Sequence, residues 1–118
     1  MNIFGKSAVY TAAMLILLVG TTDLYGRSYT GHLAAYHYSL GVLHMLDENP
    51  GEAAREFEKA WRYDPAAVEI ATELATAYVE KGETAKAIAI AEKTLKEHPE
   101  DVEMSLILAG LYMNAKNY

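Results

Sequence analysis

The chain has 118 residues, 52% of them hydrophobic, a formal charge of −6 and no cysteine. That is room for one small packed domain with an accessory segment, and it is too apolar for a disordered chain. The 10 basic residues are outnumbered by 16 acidic ones and form no run, which excludes a surface that follows a nucleic-acid backbone. Without cysteine there is no disulfide, thiolate metal site, haem thioether, cysteine nucleophile or acylated lipoprotein anchor.

Residues 1–26 are a different kind of chain from the rest. After Lys6 no charge occurs until Asp23, and the apolar stretch runs from Ala8 to Gly20, or from Ser7 to Thr22 with its uncharged flanks. A spanning helix needs about 20 residues, more than either span, so the stretch sits nearer an export signal than an anchor. No A-x-A cleavage site follows it, and an uncleaved anchor or a buried amphipathic helix stay open as readings. Lys6 tends to remain on the inner side, so signal and anchor alike place the remainder outside the cytoplasm. The expectation is an exported chain, periplasmic or held at the inner membrane, that touches lipid only through residues 8–22. Residues 27–33 read as a linker.

From Leu33 onward the pattern is helical. Tyr36, Leu40, Leu43 and Leu46 recur at three and four, and the run breaks at Asp47-Glu48-Asn49-Pro50-Gly51. Asn49 suits an N-cap, Pro50 the first helical position, and Glu52 gives the spacing of a capping box. A second helix carries Ala53, Phe57, Ala60 and Trp61 and ends near Asp64-Pro65. A third runs from about Ala67 to Lys81 and stops at Gly82, a good C-cap residue. A fourth covers Thr84 to Glu97 before His98-Pro99, and a fifth about Asp101 to Asn114. The expected fold is all-α.

Glu58 to Pro65 reads EKAWRYDP, and Glu92 to Pro99 reads EKTLKEHP, with Glu, Lys and Pro in the same register. Helix, turn, helix recurring at such an interval is the spacing of stacked helical hairpins. On these residues the chain resembles the tetratricopeptide repeat family. The resemblance implies an α-solenoid of about two and a half repeats: 34–67, 68–101, and at 102–118 the first helix of an incomplete third. Repeat one matches with Leu40, Gly41, Ala53, Phe57, Ala60 and Pro65, and repeat two with Leu74, Ala75, Tyr78, Gly82, Ala87 and Pro99. Repeat three matches with Leu108, Ala109 and Tyr112. Small residues at the crossings let backbones approach while Phe57, Tyr78 and Tyr112 fill the wider gaps. His37 and His44 depart from the aromatic slots, Ala91 from the large slot and Thr94 from a small one, so the second repeat is expected to pack less tightly. Leu106, Leu108, Leu111 and Tyr112 are expected to be uncovered on at least one side.

The family resemblance also implies where binding occurs: on the concave face made by the first helix of each hairpin. The variable slots there hold Ala35, Tyr38, Val42, Met45 and Leu46, then Glu69, Thr72, Thr76, Val79 and Glu80, then Glu103, Leu106, Gly110, Met113 and Asn114. None is Lys or Arg, which argues against a clamp for a C-terminal carboxylate. The groove reads as apolar at one end and acidic in the middle, suited to an apolar or basic peptide or a partner helix. Val42, Leu46 and Leu106 have a second reading as ordinary packing residues.

No chemistry competes with binding. His37 and His44 are seven apart, too far along one helix to share an ion, and His32 and His98 stand apart from them, so no metal and no cofactor are expected. Glu52, Glu56 and Glu58 read as solvent-face charges, Glu92 with Lys96 as an i,i+4 pair, and Ser39 and Ser105 lack a base. The expected function is a non-catalytic scaffold that binds a protein or peptide in an envelope assembly. The alternatives are a docking domain for a longer enzyme or transporter, and a module that self-associates through its incomplete third repeat.

Overall fold

The computed structural model describes residues 26 and 29–116, and all of its regular structure there is α-helix. Helix α1 covers residues 29–46. It is followed by α2 (Pro50–Tyr63), α3 (Val68–Glu80), α4 (Thr84–Glu97) and α5 (Val102–Lys116). Residues 29–33, expected as linker, are therefore part of α1. The apolar segment 8–22 lies outside the described residues. Among those described, no helix is long and apolar enough to cross a membrane.

The helix ends follow from local chemistry. At the start of α2 the Asn49 side chain accepts the Glu52 N–H at 3.3 Å, and Pro50 occupies the first helical position. The capping box is only half made. The Glu52 carboxylate pairs with Arg55 at 3.1 Å, because the Asn49 amide it would receive already donates to the His44 carbonyl at 2.8 Å. That bond, with Glu48 N–H to the Met45 carbonyl at 3.1 Å, closes α1 in a Schellman turn. The turn forces Glu48 to a φ of 56°, a region that side chains with a Cβ avoid. The end of α3 repeats the same pair of bonds, Gly82 to Val79 at 3.0 Å and Glu83 to Tyr78 at 2.8 Å, with Gly82 at a φ of 78°. Asp101 caps α5 by accepting the Met104 N–H at 2.7 Å.

Consecutive helices pack side by side, α2 on α3, α3 on α4 and α4 on α5. Their contacts run through residues without exposed surface: Ala53, Phe57, Ala60, Ala75 and Ala87. Gly41 is buried where α1 crosses α2 and lies directly against the Phe57 ring, which also meets Tyr38 at 5.7 Å between centroids. Leu74 and Tyr78 join this cluster from α3 and Leu111 from α5. Burying Phe57 alone is worth about 2–3 kcal/mol. The second repeat does not gape at Ala91. Met104, fully buried, comes from α5 to fill the space beside Ala91 and Ala71.

On α1, Tyr36, Leu43 and Leu46 face outward, and the inward face is Ala34, Tyr38, Gly41 and Met45. Other expectations about packing are corrected. Ala109 is exposed, whereas its counterpart Ala75 is fully buried, because no described helix follows α5 to cover it as α4 covers α3. Pro65, Pro99 and Gly82 are exposed turn residues that end helices and add nothing to the buried core. On α5, Leu106 is exposed and Leu108 half-buried, as expected of an uncovered side, while Leu111 is buried; Tyr112, expected to fill a gap between hairpins as Phe57 and Tyr78 do, is exposed instead.

Candidate functional site

A concavity of about 180 Å³ opens where α1, α3 and the start of α5 face one another. Its lining is Tyr38 from α1, Val68, Glu69, Thr72 and Glu73 from α3, and Asp101 and Glu103 from the α4–α5 turn and α5. Four carboxylates thus meet one phenol with no lysine, arginine or histidine among the lining residues. Asp101 is engaged as a helix cap. Thr72 is also satisfied, its hydroxyl donating to the Val68 carbonyl at 2.9 Å.

The electrostatics follow from that composition. Burial pushes the Glu73 carboxyl up from its ordinary range, and the charges of Glu103 and Glu80 push it further. The Tyr38 phenol is raised by burial and then by Glu73 and Glu69. Both shifts favour the uncharged form, so the site holds more negative charge than it can settle unaided. An ammonium or guanidinium group entering it would relieve the repulsion and supply hydrogen-bond donors.

The expected concave residues divide into three groups. Tyr38, Glu69, Thr72 and Glu103 meet at the concavity. Val42 and Met45 are half-buried and pack against the main core, and Thr76 is half-buried with its hydroxyl donating to the Thr72 carbonyl at 3.0 Å. Val79, Leu106, Gly110 and Met113 line no part of the concavity, and all four are exposed. Val68, Glu73 and Asp101 belong to the site without having been expected there. Glu73 had a legible signal, one helical turn after Glu69, and Glu103 holds in the third repeat the position that Glu69 holds in the second.

Two glutamates expected on the solvent side, Glu56 and Glu58, are structural, and so is Glu92, expected to pair with Lys96. Glu56 is buried; its Oε2 lies 2.6 Å from His37 Nδ1, and its Oε1 accepts from Lys59 Nζ at 2.7 Å. Burial alone would raise its carboxyl, but the hydrogen bonds from Lys59 and His37 hold it below the ordinary value. His37 stacks on Tyr63, so it fills the slot of a larger aromatic while joining α1 to α2. Glu58 accepts the Tyr78 hydroxyl at 2.5 Å, and Glu92 accepts the Tyr112 hydroxyl. Glu92 therefore bonds to Tyr112, not to Lys96. The repeated EK pair supplies the same inter-helix acceptor in each hairpin.

Among the described residues no group of three His, Asp or Glu could hold a metal ion. The Ser39 and Ser105 hydroxyls donate to the carbonyls of Ala35 and Asp101, four residues back in each case, at 2.9 and 2.7 Å.

Two family models, both described as tetratricopeptide repeat, match residues 44–94 and 72–118. No curated protein matches the chain.

Proposed function

Residues 44–118 of this chain belong to the tetratricopeptide repeat family, and we propose that the protein is a non-catalytic scaffold which holds a basic or mixed basic–apolar peptide of a partner protein in its concave groove. Repeats of this family typically bind proteins. The observation that carries the specificity is the concavity of Tyr38, Glu69, Thr72, Glu73 and Glu103, with carboxylates on both walls and no cation among its lining residues. An arginine or lysine side chain fits this chemistry, since a cation placed among several carboxylates satisfies them together and costs little if the site stays partly wet. Tyr38 offers the aliphatic stem of that side chain a ring to lie on. We further propose that the scaffold serves an exported envelope assembly, a reading supported by the apolar stretch 8–22 behind Lys6.

The test uses fluorescently labelled octapeptides carrying one arginine between apolar residues, against the same peptides with glutamine in its place. Anisotropy should show the arginine peptides binding at least about ten-fold more tightly at low salt, with the preference shrinking as salt rises. Glu73→Gln with Glu103→Gln should remove the preference while circular dichroism stays unchanged. Equal affinity for the arginine and glutamine peptides would refute the basic-peptide reading.

A further inference from the structure

Helix α1 shows an apolar seam on its outer face. Tyr29, Leu33, Tyr36, Leu40 and Leu43 follow one another at intervals of four, three, four and three, the spacing at which a helix offers one continuous stripe to another helix. Tyr29 is 64% exposed, Tyr36 59% and Leu43 56%, while Leu33 and Leu40 border the stripe. The stripe is about 21 Å long at roughly 1.5 Å per residue.

One repeat further on, the same face is an interface. Ile70, Leu74 and Ala77 hold in the second repeat the positions of Tyr36, Leu40 and Leu43 in the first, and all three are buried. Ile70 lies in a cluster with Ala60, and Leu74 and Ala77 lie with Ala53 and Phe57 of α2. This architecture therefore fills that face of an inner helix with a neighbouring helix. The α1 version is differently shaped, however. Leu43 replaces the alanine that lets α2 nest closely on α3, and Tyr36 replaces an isoleucine. Larger side chains at both positions set the helices farther apart and suit interlocking of equal knobs.

Charge selects the occupant. Each chain carries −6, so two copies repel unless they meet on uncharged surface. Residues 29–46 contain no Asp, Glu, Lys or Arg. No other described helix is free of them: Glu52 stands on α2, Glu69 on α3, Lys93 on α4 and Glu103 on α5. We infer that a second copy of this chain covers the seam, α1 against α1 in a two-fold pair, leaving both acidic grooves free. The inference does not rest on the peptide-binding reading.

Light scattering on the intact chain, in the buffer or detergent that disperses it, should give two chains per particle, with the dimer strengthened by salt because screening reduces the mutual repulsion. Leu43→Glu, at an exposed position, should halve the mass at unchanged helicity, whereas Leu106→Glu on the exposed side of α5 should leave it at two. Because the chain has no cysteine, Tyr36→Cys at the centre of the stripe should form an intermolecular disulfide in dilute solution under mild oxidation, and Leu106→Cys should not. A monomer at all concentrations overturns the inference. So does a dimer that only Leu106→Glu disperses, one that both charge substitutions disperse (a head-to-tail α1–α5 contact), or one that neither affects. If Leu43→Glu loses helicity, Tyr36→Ser and the disulfide experiment decide the matter.

Discussion

Gly41 offers the sharpest test of how α1 and α2 fit. A methyl group built on it would lie 2.5, 2.6 and 2.9 Å from Cε1, Cδ1 and Cζ of Phe57. Carbon atoms in contact prefer about 3.5–4.0 Å, so the overlap is on the order of 1 Å at three ring atoms. The ring has nowhere to go, since Phe57 is fully buried in a cluster with Ala53 and Leu74. Overpacking of this kind costs about 1–3 kcal/mol. Against it stands the gain from replacing a mid-helix glycine with alanine, about 0.5–1 kcal/mol. Gly41→Ala should therefore destabilise by about 1–2 kcal/mol and lower Tm by about 3–10 °C. Gly31→Ala lies on the same helix with nothing within 4 Å of the added carbon, and it should stabilise by about 0.5–1 kcal/mol. Thermal unfolding followed by far-ultraviolet circular dichroism compares the two. A double-mutant cycle with Phe57→Leu adds the mechanism, because shrinking the ring should recover much of the Gly41→Ala cost. If Gly41→Ala and Gly31→Ala shift Tm in the same direction, the close approach of α1 to α2 is not what glycine serves at this position.

Two further outcomes follow from named groups. Glu48, with its φ of 56°, should gain stability on Glu48→Gly by about 1 kcal/mol, and Gly82→Ala, at a φ of 78°, should lose about as much; urea midpoints at unchanged slope would show both. The lowered carboxyl of Glu56 gives the fold an acid limb. A depressed folded value means its stabilisation is complete above the ordinary value of 4.5 and is lost as pH falls through the depressed one. Glu56→Gln should flatten this part of the stability–pH curve below pH 4.5, and an unchanged slope there would remove Glu56 as the cause.

The residues that could be read from the sequence are those whose role depends on near neighbours along the chain. Asn49 and Pro50 start a helix because an amide needing an acceptor lies three residues on. Gly82 ends one because two carbonyls behind it need donors. The return of Glu58-Lys59 as Glu92-Lys93 made the hairpin array legible, since a stacked unit must present the same contacts at each step. Part of the groove followed, with Tyr38, Glu69, Thr72 and Glu103 meeting in space.

What escaped was decided between helices. Tyr36, Leu43 and Leu46 carry a regular apolar period, but period alone names a stripe and not its partner; the small residues Ala34 and Gly41 won the inward face because α2 brings Phe57 too near Gly41 for anything larger there. Glu56, Glu58 and Glu92 look like solvent charges on their own helices, and only the neighbouring helices supply His37, Tyr78 and Tyr112 to hold them. The acid pocket needed Glu73 and Asp101 to be carried to the same opening by α3 and the α4–α5 turn. Local hydrogen bonding and repetition are written along the chain and set the rods and their beat. Which side of each rod is wet, and which carboxylate is engaged, depends on atoms 19 or 20 residues away, and the folded arrangement alone brings those within bonding distance.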